Sequence, residues 1–236
     1  MSDSTQLRAV GGSRSPHCAS VGNQQPAVAR LLYAVRQPGG FAVLSGPGGT
    51  GVTTVLGWLA AELEQAGHPV LWRSVRSLTR ADYPALASSQ AVDAALPPVV
   101  LIDDAHAAAE GVLTACVQQC GEVIPTVSVV LAGRGRLLTL LARERDLGER
   151  IKLRAVLRAW TRDETEEMVA SRLAAAGIDQ FEAGVPSVIH AIAAGIPQAI
   201  GQLLETVLLV AATQPEHRLR CEDIERMHER LSLAAA

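Results

Sequence analysis

The chain has 236 residues, a length that suits one α/β domain with a smaller appended unit. Its 48% hydrophobic content supplies a buried core and excludes a wholly disordered chain, and its net charge of -3 excludes a globally basic nucleic-acid binder. At 3%, aromatic residues are too few for the stacking platform used in single-strand or RNA recognition, so Trp58, Trp72 and Trp160 are expected to be packing residues.

Residues 1–24 are rich in Ser, Gly, Asn and Gln without periodicity and are expected to form a flexible tail. Met1–Gly12 lacks the apolar core of a leader, and the longest strongly apolar run, Leu203–Ala212, contains Glu205 and is too short to span a bilayer. A cytoplasmic protein is the expectation. Pro26 opens a helix that puts Val28, Leu31, Leu32 and Val35 on one face and ends at Gln37-Pro38-Gly39-Gly40. A strand follows at Phe41–Leu44, then a Gly-rich turn, then a helix over Val52–Ala66 closed by Gly67. Further strands are expected at Val70–Val75, Val99–Ile102, Val127–Ala132 and Lys152–Leu157, with a helix over His106–Cys120. Apolar runs without alternation mark strands buried on both faces, and strands alternating with helices mark a parallel sheet covered on both sides. Beyond Trp160 the pattern is helical throughout: 162–176, 186–194, 197–212 and 222–233. Thr161 with Glu164 fits a capping box, and Gly177 a helix stop. The expected architecture is a three-layer αβα core with a five-stranded parallel sheet over residues 25–159, followed by a helical lid over 160–236. Cys116 and Cys120 share a helix face but have no second pair to complete a zinc site, so buried reduced thiols are expected.

The turn after the first strand is Gly46-Pro47-Gly48-Gly49-Thr50-Gly51-Val52-Thr53-Thr54. Gly46, Gly51 and Thr53 match the phosphate-loop pattern G-x-x-x-x-G-K-[ST] in the strand-to-helix context it requires, which predicts a P-loop NTPase fold. The glycines let backbone N–H groups curl around phosphate oxygens, the helix N-terminus adds its dipole, and the Thr53 hydroxyl is placed to hold Mg²⁺. Val52, however, stands at the lysine position. Loss of one charged hydrogen bond of about 1.5–3 kcal/mol weakens binding by roughly 10- to 150-fold. The second motif, Val99-Val100-Leu101-Ile102-Asp103-Asp104-Ala105-His106, ends an apolar strand in paired acids. Asp103 suits Mg²⁺, and Asp104 takes the place of the glutamate that polarises the attacking water, one methylene shorter.

With these segments in view, residues 17–230 resemble AAA+ ATPases of the ExeA type, known from general secretion, and the related transposition helper ATPases. Leu101–His106 is similar to the family's L-I-D-E-A-[QH] segment; Val130-Leu131-Ala132-Gly133 resembles its fourth strand, Arg150-Ile151 its R-I pair, and Gly195-Ile196-Pro197 its G-x-P-R turn. Thr161, Asp163-Glu164-Thr165, Arg172-Leu173 and Ala176-Gly177 look like its first lid helix. The resemblance implies ATP or ADP with Mg²⁺ as ligands, homo-oligomers or a partner protein, and a role for Arg150 as an arginine finger at a neighbour's phosphate. Four positions depart: Val52 for lysine, Asp104 for glutamate, Gln198 for the sensor-2 arginine and Arg134 for a smaller polar sensor. The first three, altered together, point to weak nucleotide binding and slow or absent hydrolysis by a module acting on a partner or on DNA. An active ATPase and a scaffold that binds no nucleotide are the alternatives. DNA contact through Arg73, Arg76 and Arg80 is expected to be weak and salt-sensitive.

Overall fold

The computed structural model describes residues 22, 24–79, 96–213 and 218–234. Except for Gly22 and Gln24, the expected tail falls outside them, as do Cys18 and Arg80. Five strands form one parallel sheet: β1 Phe41–Ser45, β2 Val70–Ser74, β3 Val99–Asp103, β4 Ser128–Gly133 and β5 Leu153–Val156. Their order is β2-β3-β4-β1-β5, so β4 lies between β1 and β3. Every residue of β1, β3 and β4 is buried, which is why these strands appear in sequence as unbroken apolar runs.

Alternate residues of each strand serve opposite faces. Ala42, Leu44, Leu101 and Val130 pack under α1 (Gln24–Val35) and α2 (Val52–Gln65). Phe41, Val43, Ile102 and Leu131 pack under α3 (Val112–Val123), α4 (Arg136–Arg143) and α5 (Arg145–Arg150). These are the three layers of a P-loop NTPase core. Register pairs Ser45 with Gly133 and Ser74 with Asp103, aligning the carboxyl ends of four strands along one edge. In open parallel sheets that edge is where ligands bind.

The helical part has its own core. α6 (Arg162–Ala175), α7 (Val185–Ala193), α8 (Pro197–Thr213) and α9 (Cys221–Ala234) gather Val169, Leu173, Val185, Ile189, Ile200, Leu204, Val207 and Ile224 around Trp160. Leu157 belongs to the sheet core and Trp160 to this one, so the two cores part within three residues. Among the described residues no helix is long and apolar enough to cross a membrane.

Several sequence expectations need correction. The helix expected over His106–Cys120 does not start at His106. A 3-10 turn at Ala105–Ala107 is followed by a break, and α3 begins at Val112 after Gly111 in the left-handed region (φ 80°). The run of alanines after Asp104 favours helix, but the glycine cap sets the start later. α4 and α5 lack counterparts among the expected elements, and α1 starts at Gln24, two residues before Pro26. Trp72 packs its ring against Gly57 of α2 while remaining 37% exposed on the edge strand β2. Cys120 is buried in the core beneath α3, and Cys116 is half-buried.

Candidate functional site

The loop between β1 and α2 is shaped by its glycines. Gly49 (φ 81°) and Gly51 (φ 93°) occupy the left-handed region, where a side chain is strained. A Cβ on Gly51 would stand 2.6 Å from Gln24 Nε2, and one on Gly49 would stand 2.7 Å from Ile196 Cγ2. Behind the loop, Thr50 is buried and its hydroxyl donates to Pro47 O (2.8 Å), while Gln24 Nε2 donates to Thr50 O (2.9 Å). Gly46 N–H donates to Gly133 O (3.3 Å), tying the loop to the end of β4. Gly46 and Thr50 therefore form the back of the loop, whereas Pro47, Gly48, Gly49, Gly51, Val52, Thr53 and Thr54 face a cavity of about 480 Å³. The backbone N–H groups of Gly48, Gly49, Gly51, Val52 and Thr53 donate to no described residue, and the helix start has no side-chain cap. Several open donors at a helix N-terminus make an anion cradle.

The acids stand opposite. Asp103 ends β3 and is 8% exposed. Burial pushes its carboxyl above the ordinary aspartate range; hydrogen bonds from Asp104 N–H (2.8 Å to Oδ1) and from the Thr53 hydroxyl offset part of this. A cation held between Thr53 and Asp103 would relieve that cost. Asp104 takes a left-handed conformation (φ 53°), and Ser74 Oγ, from the neighbouring strand end, donates to its Oδ2 (3.4 Å). His106, on the 3-10 turn, lines the same cavity.

The rest of the wall comes from the lid. Trp160, Met168 and Arg172 approach from the start and one face of α6, and Pro197, Gln198, Gly201 and Glu205 from α8. Gln198 N–H donates to Gly49 O (3.1 Å), so the lid rests on the loop. Three buried side-chain polar atoms have no partner among the described residues: His106 Nδ1, Trp160 Nε1 and Arg172 Nε. All three belong to residues lining this one cavity. Two of the atoms themselves are turned away from the open space: a Cβ on Gly133 would stand 3.1 Å from His106 Nδ1, and one on Gly22 would stand 2.9 Å from Trp160 Nε1.

Of the residues singled out from sequence, the structure brings Thr53, Asp103 and Asp104 together with the loop. It does not bring Arg150 there. Arg150 ends α5 beside Gly39, Phe41 and Val129, at the amino ends of β1 and β4, one strand length (about 15 Å) from the loop. Sequence reasoning missed Gln24, His106, Trp160, Met168, Arg172, Gly201 and Glu205 as wall residues. The i,i+4 spacing of Met168 with Arg172 and of Gly201 with Glu205 was a signal that each pair shares a helix face.

No family model matches the sequence, and no curated protein matches it. Solved structures do. A variant of RuvB from Thermotoga maritima superposes with a TM-score of 0.65 at 20% identity, over 89% of this chain and 70% of that one. Cdc6p from Pyrobaculum aerophilum gives 0.64 at 17% identity, over 86% and 65%. The ORC2 protein of Aeropyrum pernix, in its ADPNP–ADP complexes, gives 0.59 at 16% identity, over 90% and 66%. The chain has the fold of the AAA+ P-loop ATPases: an αβα core followed by a helical lid.

Proposed function

We propose that this chain is a nucleotide-binding module of the ExeA and transposition-helper type that holds ATP or ADP with Mg²⁺ weakly and hydrolyses it very slowly or not at all. The observation that carries this is the row of open N–H groups on the phosphate loop, facing the same cavity as the Thr53 hydroxyl and the Asp103 carboxylate. The residues fit the group: the loop amides take phosphate oxygens, Thr53 and Asp103 hold the metal, and the lid wall encloses the remainder. Bound Mg²⁺ supplies charge neutralisation at the phosphates. Asp104 is placed to orient water but is short, and neither Val52 nor Gln198 supplies a charge. The module works as an oligomer or on a partner protein, and Arg150, remote from its own cavity, acts on a neighbouring copy's site. DNA contact, through Arg76 and the half-buried Arg73, is sequence-independent and falls steeply between ~50 and ~200 mM salt.

Isothermal titration of the full chain with an ATP analogue, with and without Mg²⁺, tests the binding. Metal-dependent binding is expected. A phosphate-release assay is expected to give a rate indistinguishable from that of Asp103→Ala, and a turnover near ~1 s⁻¹, the low end of ordinary enzymes, overturns the impaired-ATPase assignment.

A further inference from the structure

We propose that Arg134, delivered by the end of β4, is the cation that takes over the task of the absent loop lysine, so that the phosphate charge is supplied from the strand beside the loop instead of from the first turn of α2. This rests on the nucleotide assignment above and deepens it.

No lysine can substitute from elsewhere. Lys152 is the sole lysine of the chain, and its backbone N–H donates to Phe41 O at the amino end of β1, away from the cavity. A permanently charged cationic side chain of this chain at the phosphates must therefore be an arginine. Among the described residues only two arginines line the cavity, Arg134 and Arg172. Arg172 rides on the lid, whereas Arg134 belongs to the core and needs no lid docking to reach the loop.

Topology places Arg134 well. β4 runs between β1, which leads into the phosphate loop, and β3, which ends in Asp103. The Gly46 N–H bond to Gly133 O (3.3 Å) fixes the end of β4 against the loop, and Arg134 is the next residue. A Cβ on Gly48 would stand 3.5 Å from Arg134 Cζ and 3.6 Å from Nη1, so the guanidinium lies along the crown of the loop. It could instead have paired with an acid. Asp103 and Asp104 line the same cavity, yet the Arg134 side chain makes no ion pair or hydrogen bond with any described residue. The acids are already engaged: Asp103 accepts from Asp104 N–H and Thr53, and Asp104 accepts from Ser74. A guanidinium with five N–H donors uncommitted, held over open backbone donors, presents a matched surface to a phosphate, and it can bind two oxygens at once.

The test is a transplant of charge. Isothermal titration with an ATP analogue and Mg²⁺ is run on wild type, Arg134→Gln, Val52→Lys and the double variant, with circular dichroism confirming the fold and adenosine as the phosphate-free control. Arg134→Gln is expected to weaken the analogue by about 10- to 150-fold, the worth of one charged hydrogen bond, and to leave adenosine unchanged. Val52→Lys is expected to restore most of that loss in the Arg134→Gln background and to improve wild type by less than it restores, because the two cations serve one phosphate. If wild type binds and Arg134→Gln binds equally well, the proposal fails while the nucleotide assignment stands. Failure of Val52→Lys to rescue a weakened Arg134→Gln, or an equal loss of adenosine, also overturns it, since Arg134 then acts through structure. If neither wild type nor Val52→Lys binds although both are folded, both proposals fall together.

Discussion

Two helix starts border the cavity region, and they are finished differently. α6 begins with every device for closing a helix N-terminus. The Thr161 side chain accepts from Glu164 N–H, Glu164 accepts from Thr161 N–H (2.6 Å), and Arg158 grips the same carboxylate at 3.0 and 3.1 Å. α2 begins with none: Gly51 offers no side chain, and the first N–H groups of the helix meet no described acceptor. Capping contributes about 1 kcal/mol, so a start left open forgoes that stability. The difference separates a terminus built to hold the lid in shape from one kept open for a ligand.

The comparison breaks most sharply at Gly51. Gly51→Ala puts a Cβ in the left-handed region and 2.6 Å from Gln24 Nε2. It is expected to cost about 1–3 kcal/mol in backbone strain alone and to remove nucleotide binding, as measured by denaturant unfolding and titration on the same sample. Thr161→Ala should be milder, about 1 kcal/mol of stability, with the loss appearing as earlier melting of helical signal. An effect of equal size on nucleotide affinity would mean that the two starts are not separate in function.

A finer contrast lies in pH. Burial opposes the charge on Glu164, but hydrogen bonds from Arg158, the Thr161 N–H and the Thr161 hydroxyl outweigh it and hold the carboxyl below its ordinary value of 4.5. Its contribution is present above 4.5 and lost as pH falls through the lowered value. Asp103 runs the other way. Burial raises it above 3.8, so its charge destabilises the metal-free fold at neutral pH, and the penalty disappears as pH falls through the raised value towards 3.8. Without metal, Asp103→Asn is therefore expected to raise Tm at neutral pH, with the gain shrinking on acidification; Glu164→Gln should lower Tm, with its deficit shrinking below 4.5. A loss of stability in Asp103→Asn at neutral pH would show that hydrogen bonding, not burial, governs that carboxylate. The smallest effect is expected for Ser74→Ala, which removes a 3.4 Å contact to Asp104 and should change stability by no more than about 0.5 kcal/mol.

The sheet and the loop were legible because their physics is local. Val99–Ile102 and Val127–Ala132 are almost wholly apolar because both faces are covered, and Gly49 and Gly51 sit where the loop must turn left-handed. The capping box was legible for the same reason: Thr161 and Glu164 are three apart. What escaped was set by distant packing. α4 and α5 are short and interrupted at Glu144, and their charged residues obscure the buried Leu137, Leu140, Leu141 and Leu147. The lid wall escaped because nothing near Arg172 or Glu205 in the chain announces the phosphate loop more than a hundred residues earlier. Arg150 was placed through family resemblance, and its position at the far end of the sheet could not be derived from spacing.

The hydrogen bond from Gln198 N–H to Gly49 O ties the lid directly to the phosphate loop, across two separate cores. It is worth about 0.5–1.5 kcal/mol, or a factor of roughly 2–12 in the balance between a seated and a lifted lid. Whatever draws on the electron density of that loop carbonyl, or shifts it by a fraction of an ångström, therefore changes the lid's leverage, and a load applied to the lid changes the loop's grip by the same factor. Loop occupancy and lid seating are thereby expected to shift together.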